Sequence, residues 1–483
     1  MVSPMVEHKW RVLTNTTIGT FMASLDTSIV LISLPTIGRE LPGADPATLL
    51  WVVLTYNLVT TTLLVSFGRF SDMFGRVRLY TMGFAIFTIG SLFASLSVNG
   101  AMLLSARVVQ GVGAGFLFSN STAILTDAFP VHERGRALGV NQVAALSGSM
   151  FGLVLGGILT AILGWRSIFW VNLPIGLVGT LWAWVGLEEL HPQESGAKID
   201  WIGNLLFGIG LTTFLVGVTL GGLDGWFSPA ILVLLVTGLS SLTGFVFYER
   251  VVKSPMFDLA LLKIRTFLMG NLASLLSSLA RGSFAFIMTF YFQGLLLDNA
   301  LTAGILLLPL SLGFLVTGPV SGWLSDTKGA RFLGTLGLVI TAGGYFIMVD
   351  FPAYGSYAFL AVTMVLLGVG QGMFAAPNRA EVMSSVPPER RGISGAITST
   401  FLNAGNLGSL ALGFSILVST VPLSTLTTIF AGQTPPTALD VGGFMSALHL
   451  IFYISLGLAL LAALLNALRG HEARLEDPIP NPK

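Results

Sequence analysis

The sequence predicts an all-α protein that crosses a membrane fourteen times. Three observations predict it. Of 483 residues, 53% are hydrophobic and 10% charged, where ordinary soluble domains carry about 25% charged residues. Apolar windows long enough to span hydrocarbon, about 20 residues each, follow one another along the chain. The basic residues fall on one side of those windows, as the positive-inside rule requires.

In order, the windows are 12–35, 48–67, 79–98, 101–126, 138–163, 167–187, 201–223, 229–248, 267–296, 300–321, 332–350, 356–378, 393–420 and 443–468. Each is unbroken and apolar, whereas a membrane β-barrel would show short alternating segments. Helices are the remaining way to satisfy backbone polar groups in lipid. With both termini cytoplasmic, four of the 24 basic residues stay off the cytoplasmic side. Arg39 and Arg166 lie outside, and Arg107 and Arg281 lie within windows. An odd span count would scatter the later charges to both faces. The expected place is the cell membrane, with lipid as surroundings.

Composition narrows the chemistry. The 57 glycines suit close packing of membrane helices. A net charge of +1 gives no reason to expect nucleic acid. There is no cysteine, so thiol catalysis and cysteine-held metals are out. None of the five histidines pairs at metal-ligand spacing, and no Walker loop occurs. The first window is too long for a cleavable leader and carries Asp26. An enzyme, a metal and a bound cofactor are therefore not expected, nor is an ATP-driven pump.

The chain repeats itself. Gly68–Arg78 (GRFSDMFGRVR) follows window two, and Gly322–Arg331 (GWLSDTKGAR) follows window ten. Gly111, Pro130 and Gly135 recur at the same spacing as Gly368, Pro387 and Gly392. The period is about 255 residues, and parallel repeats of this kind mark transporters with a substrate site between the halves. The expected division is 1–187, a six-helix bundle; 188–265, two inserted helices and a cytoplasmic connector; 266–470, a second six-helix bundle; and 471–483, a tail. The connector 249–265 mixes basic and apolar residues and suits a membrane interface. The loop 421–442, rich in Thr and Pro, is expected to lack regular structure.

These residues resemble the major facilitator superfamily, and within it the fourteen-span drug:proton antiporters. The Gly68–Arg78 loop is similar to G-x-L-A-D-R-x-G-R-K-x. Leu25–Val30 with Leu34-Pro35 is similar to L-D-x-T-[IV]-V…A-L-P. Trp165–Gly176 is similar to W-R-W-x-F-x-x-N-x-P-x-G, and Arg107–Gly113 to R-x-x-Q-G-x-G. The antiporter motif G-x-x-x-G-P-x-x-G-G is matched by Gly148, Gly152, Gly156 and Gly157, with Leu153 in place of proline. The second loop has Ala330 where the first has Arg76.

Asp26 stands in the first window, where a carboxyl group is expensive and marks function. It could carry a proton across or attract a cationic substrate; a permanently paired structural Asp is the alternative. Counting from the outer ends, Asp26 and Arg107 lie about 14 and 9 Å deep, so they can meet. Arg107 would tune Asp26 or relay its proton, or else bond backbone carbonyls. Arg281 lies mid-span with two readings open: contact with a substrate anion such as a lipid phosphate, or pairing inside the bundle. The resemblance implies a cytoplasmic latch of Gly68, Asp72, Gly75, Arg76 and Asp127, with Asp326 and Arg331 as a weaker copy. Asp72 would cap the following helix. The ion pairs would hold the halves together in the outward-facing state. Polar and aromatic candidates for a cavity are Tyr56, Asn57, Phe116, Asn120, Tyr291, Gln293, Asn378, Asn403 and Asn406.

The expectation is a monomeric, proton-driven exporter of hydrophobic or amphipathic, drug-like and perhaps cationic compounds by alternating access. The alternatives are carriage of one metabolite or lipid, by symport, and a non-transporting membrane sensor. The proton is the only coupling partner expected beside the substrate.

Overall fold

The computed structural model describes residues 4–190, 200–252, 255–387, 390–431 and 438–470. The fold is all-helical, with two six-span bundles, two inserted spans and 14 helical segments long and apolar enough to cross a membrane. The first half holds α1 (Pro4–Glu40), α2 (Pro46–Phe74), α3 (Arg76–Ser95), α4 (Gly100–Ala128), α5 (Val131–Leu163), α6 (Ser167–Trp170) and α7 (Asn172–Gly186). Two helices follow, α8 (Trp201–Asp224) and α9 (Pro229–Glu249). The second half holds α10 (Arg265–Arg281), α11 (Phe284–Phe290), a π-turn (Tyr291–Leu295), α12 (Ala300–Leu306), α13 (Leu308–Lys328), α14 (Ala330–Met348), α15 (Tyr357–Ser384), α16 (Arg391–Thr420), α17 (Leu423–Ala431) and α18 (Ala438–Ala467).

The repeat seen in sequence is a repeat in packing. A Cβ on Gly148 would stand 2.5 Å from the Phe21 carbonyl oxygen, and one on Gly152 2.6 Å from that of Leu25. Gly156 meets Ile29 and Ile32 as closely. These glycines form the groove on α5 that receives α1, the close backbone approach that small residues permit. In the second half Gly405 and Gly413 of α16 receive α10 and its continuation at Leu275 and Ser283. α5 runs unbroken through Leu153, the residue standing in for the motif proline. After α2 and α13 the chain turns at Gly75 (φ 102°) and Gly329 (φ 82°), left-handed positions that favour glycine.

The side expected to lie outside the cell, the outer side, is closed. Ile29–Ile37 of α1 are all buried, around every face of the helix. So are Phe286–Leu295 in the second half, roughly the same stretch one repeat later. Gln293 Nε2 donates to the Ile32 carbonyl across the halves at 2.8 Å. Gly157 packs on the backbone of Ala300 and Leu301, and Gly304 on that of Leu153. Toward the opposite end, Gly68 and Gly139 have nothing within 4 Å of an added Cβ. There Arg379 Nη1 donates to Gln142 Oε1 at 3.0 Å between exposed groups. The inserted pair bridges the halves: Gly222 packs on Ser415, and Asn204 Nδ2 donates to Thr62 O and Ser66 Oγ.

Two expectations are corrected. The loop 421–442 contains a helix, α17, in which Leu426, Ile429 and Phe430 are buried. Its apolar residues recur at helical spacing, and the Phe430 ring stacks on Phe290 with centroids 3.8 Å apart. Residues 432–437 of that loop, and the tail 471–483, lie outside the described residues. The ninth window is not one regular helix. It breaks at Gly282–Ser283, where Gly282 packs on Asn406 and the Ser283 N–H donates to Ser409 Oγ at 2.8 Å.

Candidate functional site

Asp26 and Arg107 meet in the core of the first half, both 0% exposed. α1 presents Asp26 toward α4, which carries Arg107 and, one turn on, Gln110. Arg107 Nη1 donates to Asp26 Oδ2 at 2.5 Å. The other carboxylate oxygen accepts from Asn172 Nδ2 at 2.8 Å and Gln110 Nε2 at 3.1 Å. Arg107 keeps two further acceptors, the Val52 carbonyl at 3.0 Å and Gln110 Oε1 at 2.8 Å. Its guanidinium lies 4.4 Å from the Tyr56 ring, a cation–π contact. Arg107 Nη2 has no hydrogen-bond partner among the described residues.

Gln110 and Asn172 were not singled out from sequence as ligands of Asp26. Gln110 follows Arg107 at i+3, on one helix face. Asn172 lies on the sixth span, at the start of α7, and its amide reaches the carboxylate.

The Gly68–Arg78 turn carries an ion cluster. Arg76 Nε donates to Asp72 Oδ1 at 2.8 Å, and Arg76 Nη1 to both Asp127 oxygens at 2.8 and 2.9 Å. The cluster ties α2, α3 and α4 of one half together; it does not join the halves in this conformation. Asp72 is not the cap of α3. Glu189 is, accepting the Arg76 and Val77 N–H groups at 3.0 and 2.9 Å. Asp72 lies behind Gly75 and turns to the Arg76 side chain instead. In the second copy Arg331 is exposed, and the Asp326 side chain lies outside the described residues.

The cavity candidates separate into groups. Tyr56 belongs to the Asp26 cluster, its hydroxyl donating to Ala23 O. Phe116 stacks on Phe67, and Asn120 is buried beside it, donating to Phe116 O. Tyr291 and Gln293 are sealed into the closed outer side, where Tyr291 donates to Ala353 O. Asn378 is buried between Gly270, Ser274 and Arg469. Asn57, Asn403, Asn406 and Arg281 are part-exposed. Arg281 Nη2 donates to Asn406 Oδ1 at 3.4 Å. Arg379, expected beyond the membrane, lies inside α15, five residues before its end.

A family model, the Major Facilitator Superfamily, matches residues 16–411. The chain belongs to the Major Facilitator Superfamily. This facilitator is 33% identical to the riboflavin transporter RibZ of Clostridioides difficile, over 86% of the chain and 88% of the relative. It is 32% identical to the multidrug resistance protein Stp of Mycobacterium tuberculosis, over 84% and 74%. It is 33% identical to the cephamycin export protein CmcT of Amycolatopsis lactamdurans, over 81% and 82%. In fold it is similar to an auto-inhibited peptide transporter of the POT family, with TM-score 0.69 at 17% identity, covering 98% and 99% of the two chains. The facilitator is therefore a multi-pass membrane transporter.

Proposed function

We propose that this facilitator is a proton-driven exporter of amphipathic small molecules, in which Asp26 carries the proton and Arg107 is its partner. The observation that carries the reading is the sealed Asp26–Arg107 pair with a ready second home for the arginine. When a proton neutralises Asp26, the Val52 carbonyl, Gln110 Oε1 and the Tyr56 ring still hold the Arg107 charge. A buried arginine without such acceptors would make protonation of its partner prohibitive. Release and recapture of Arg107 thus couples the proton to packing at the α1–α4 contact. α1 also carries the closed outer stretch Ile29–Ile37, so this contact and the outer closure move on one helix. The multidrug and cephamycin relatives support export; the protein is read as a monomer in the cell membrane with both termini cytoplasmic.

A single-metabolite carrier is the second reading. The riboflavin relative and Leu153 in the proline position favour it. The test is proteoliposomes with an imposed pH gradient and a panel of dyes. Asp26→Asn is expected to abolish gradient-driven movement while exchange without a gradient persists; unchanged gradient-driven transport would sink the proposal. Movement of one dye alone would select the second reading.

A further inference from the structure

Two arginines on membrane-spanning helices, Arg281 and Arg379, carry positive charge that no described carboxylate neutralises. Asp26, the acid within the spans that sequence pointed to, is 0% exposed and already paired. Arg281 and Arg379 are different. Arg281 is part-exposed on α10, and Arg379 is exposed on α15, where it faces α5 of the other half. Each is hydrogen-bonded to a neutral side chain, Arg281 to Asn406 and Arg379 to Gln142. No described carboxylate lies within ion-pair distance of either. Gln142 belongs to the first half and Arg379 to the second, so Arg379 faces the seam between the halves.

The two arginines stand at different depths. Arg379 is about 7 Å from the open end of α15, and Arg281 about 24 Å along the helical path from the start of α10. Arg281 ends α10, where the backbone dipole favours a cation, and the chain breaks behind it at Gly282–Ser283. Backbone groups freed at membrane depth must be satisfied by protein or water, and here Ser409 accepts the Ser283 N–H. An uncompensated charge there is costly and persists where it serves a pathway. Guanidinium groups recognise oxyanions through short, charge-assisted hydrogen bonds.

Resting on the exporter reading above, we infer that the cavity selects amphipaths bearing a carboxylate or equivalent oxyanion, met first by Arg379 and held at depth by Arg281.

The test uses the full chain in phosphatidylcholine vesicles, with dansylglycine and its neutral amide as probes. Wild type is expected to move the carboxylate faster than the amide. The carboxylate-to-amide ratio is expected to fall about tenfold in Arg281→Gln and to recover in Arg281→Lys, a change that one charge-assisted hydrogen bond accounts for. Arg379→Gln is expected to lower the same ratio. No carboxylate preference in wild type, or a ratio untouched by both glutamine variants, overturns the inference. So does phosphatidylglycerol suppressing dansylglycine transport in wild type but not in Arg281→Gln, since the occupant would then be a lipid head group. Ratios are also read in exchange without a pH gradient. Loss of gradient dependence alone would defeat proton drive and leave the charge preference standing.

Discussion

Arg107 Nη1 and Asp26 Oδ2 are 2.5 Å apart with both side chains sealed from solvent. Removing the arginine leaves the Asp26 carboxylate buried with neutral donors alone and costs about 3–5 kcal/mol; removing both costs much less. Asp26→Asn with Arg107→Gln is therefore expected to unfold at a higher temperature than Arg107→Gln alone. Thermal unfolding of the purified protein in detergent checks the cycle. Additive losses would mean the two residues act independently.

Asn172 donates to the Asp26 oxygen that Arg107 does not take. Asn172→Leu leaves that oxygen with Gln110 as its donor, at an expected cost of about 1–3 kcal/mol. The same variant is expected to slow gradient-driven transport more than exchange, because the donor touches the carboxylate proposed to carry the proton. Initial rates with and without a pH gradient separate the two.

The Asp26–Arg107 pairing was legible in sequence because depth follows from residue count and the helical rise. Gln110 and Asn172 were less legible. Neutral amides carry no cost that flags them. The spans, the repeat and the all-helical fold follow from apolar length, which is local. Tyr291 and Gln293 read as cavity residues because polar groups in a span demand partners. They find those partners in the closed outer side, a property of the relation between halves. The window that ended at Asn378 stopped short of the helix, which continues to Ser384, because Arg379 and Glu381 lower hydropathy without breaking a helix. α17 was hidden by counting Thr and Pro where the apolar spacing mattered.

Glu189 closes the N-terminus of α3 by accepting two N–H groups that Gly75, with no side chain, cannot serve. Glu189→Ala is expected to cost about 1 kcal/mol, as loss of a helix cap does. Glu189→Gln should keep the acceptor and lose the favourable charge at the helix end, a smaller effect of about 0.3–1 kcal/mol. Ranked thermal unfolding of the two variants, with Asp72→Ala as comparison, checks the assignment.

Gly157 and Gly139 sit on the same helix and should respond with opposite sign. A Cβ on Gly157 would lie 2.6 Å from the Ala300 carbonyl oxygen and the Leu301 Cα, both backbone and unable to yield. Gly157→Val is expected to wedge the closed outer side open. A Cβ on Gly139 meets nothing within 4 Å, so Gly139→Ala is expected to stabilise by about 0.5–1 kcal/mol through helix propensity. The chain has no cysteine, so one introduced thiol reports cleanly. With Ile32→Cys, buried in the closed outer stretch, an impermeant maleimide added from the side of the α5 C-terminus should label Gly157→Val faster than the parent. Labelling at equal rates would mean that the Gly157 contact does not control the outer closure.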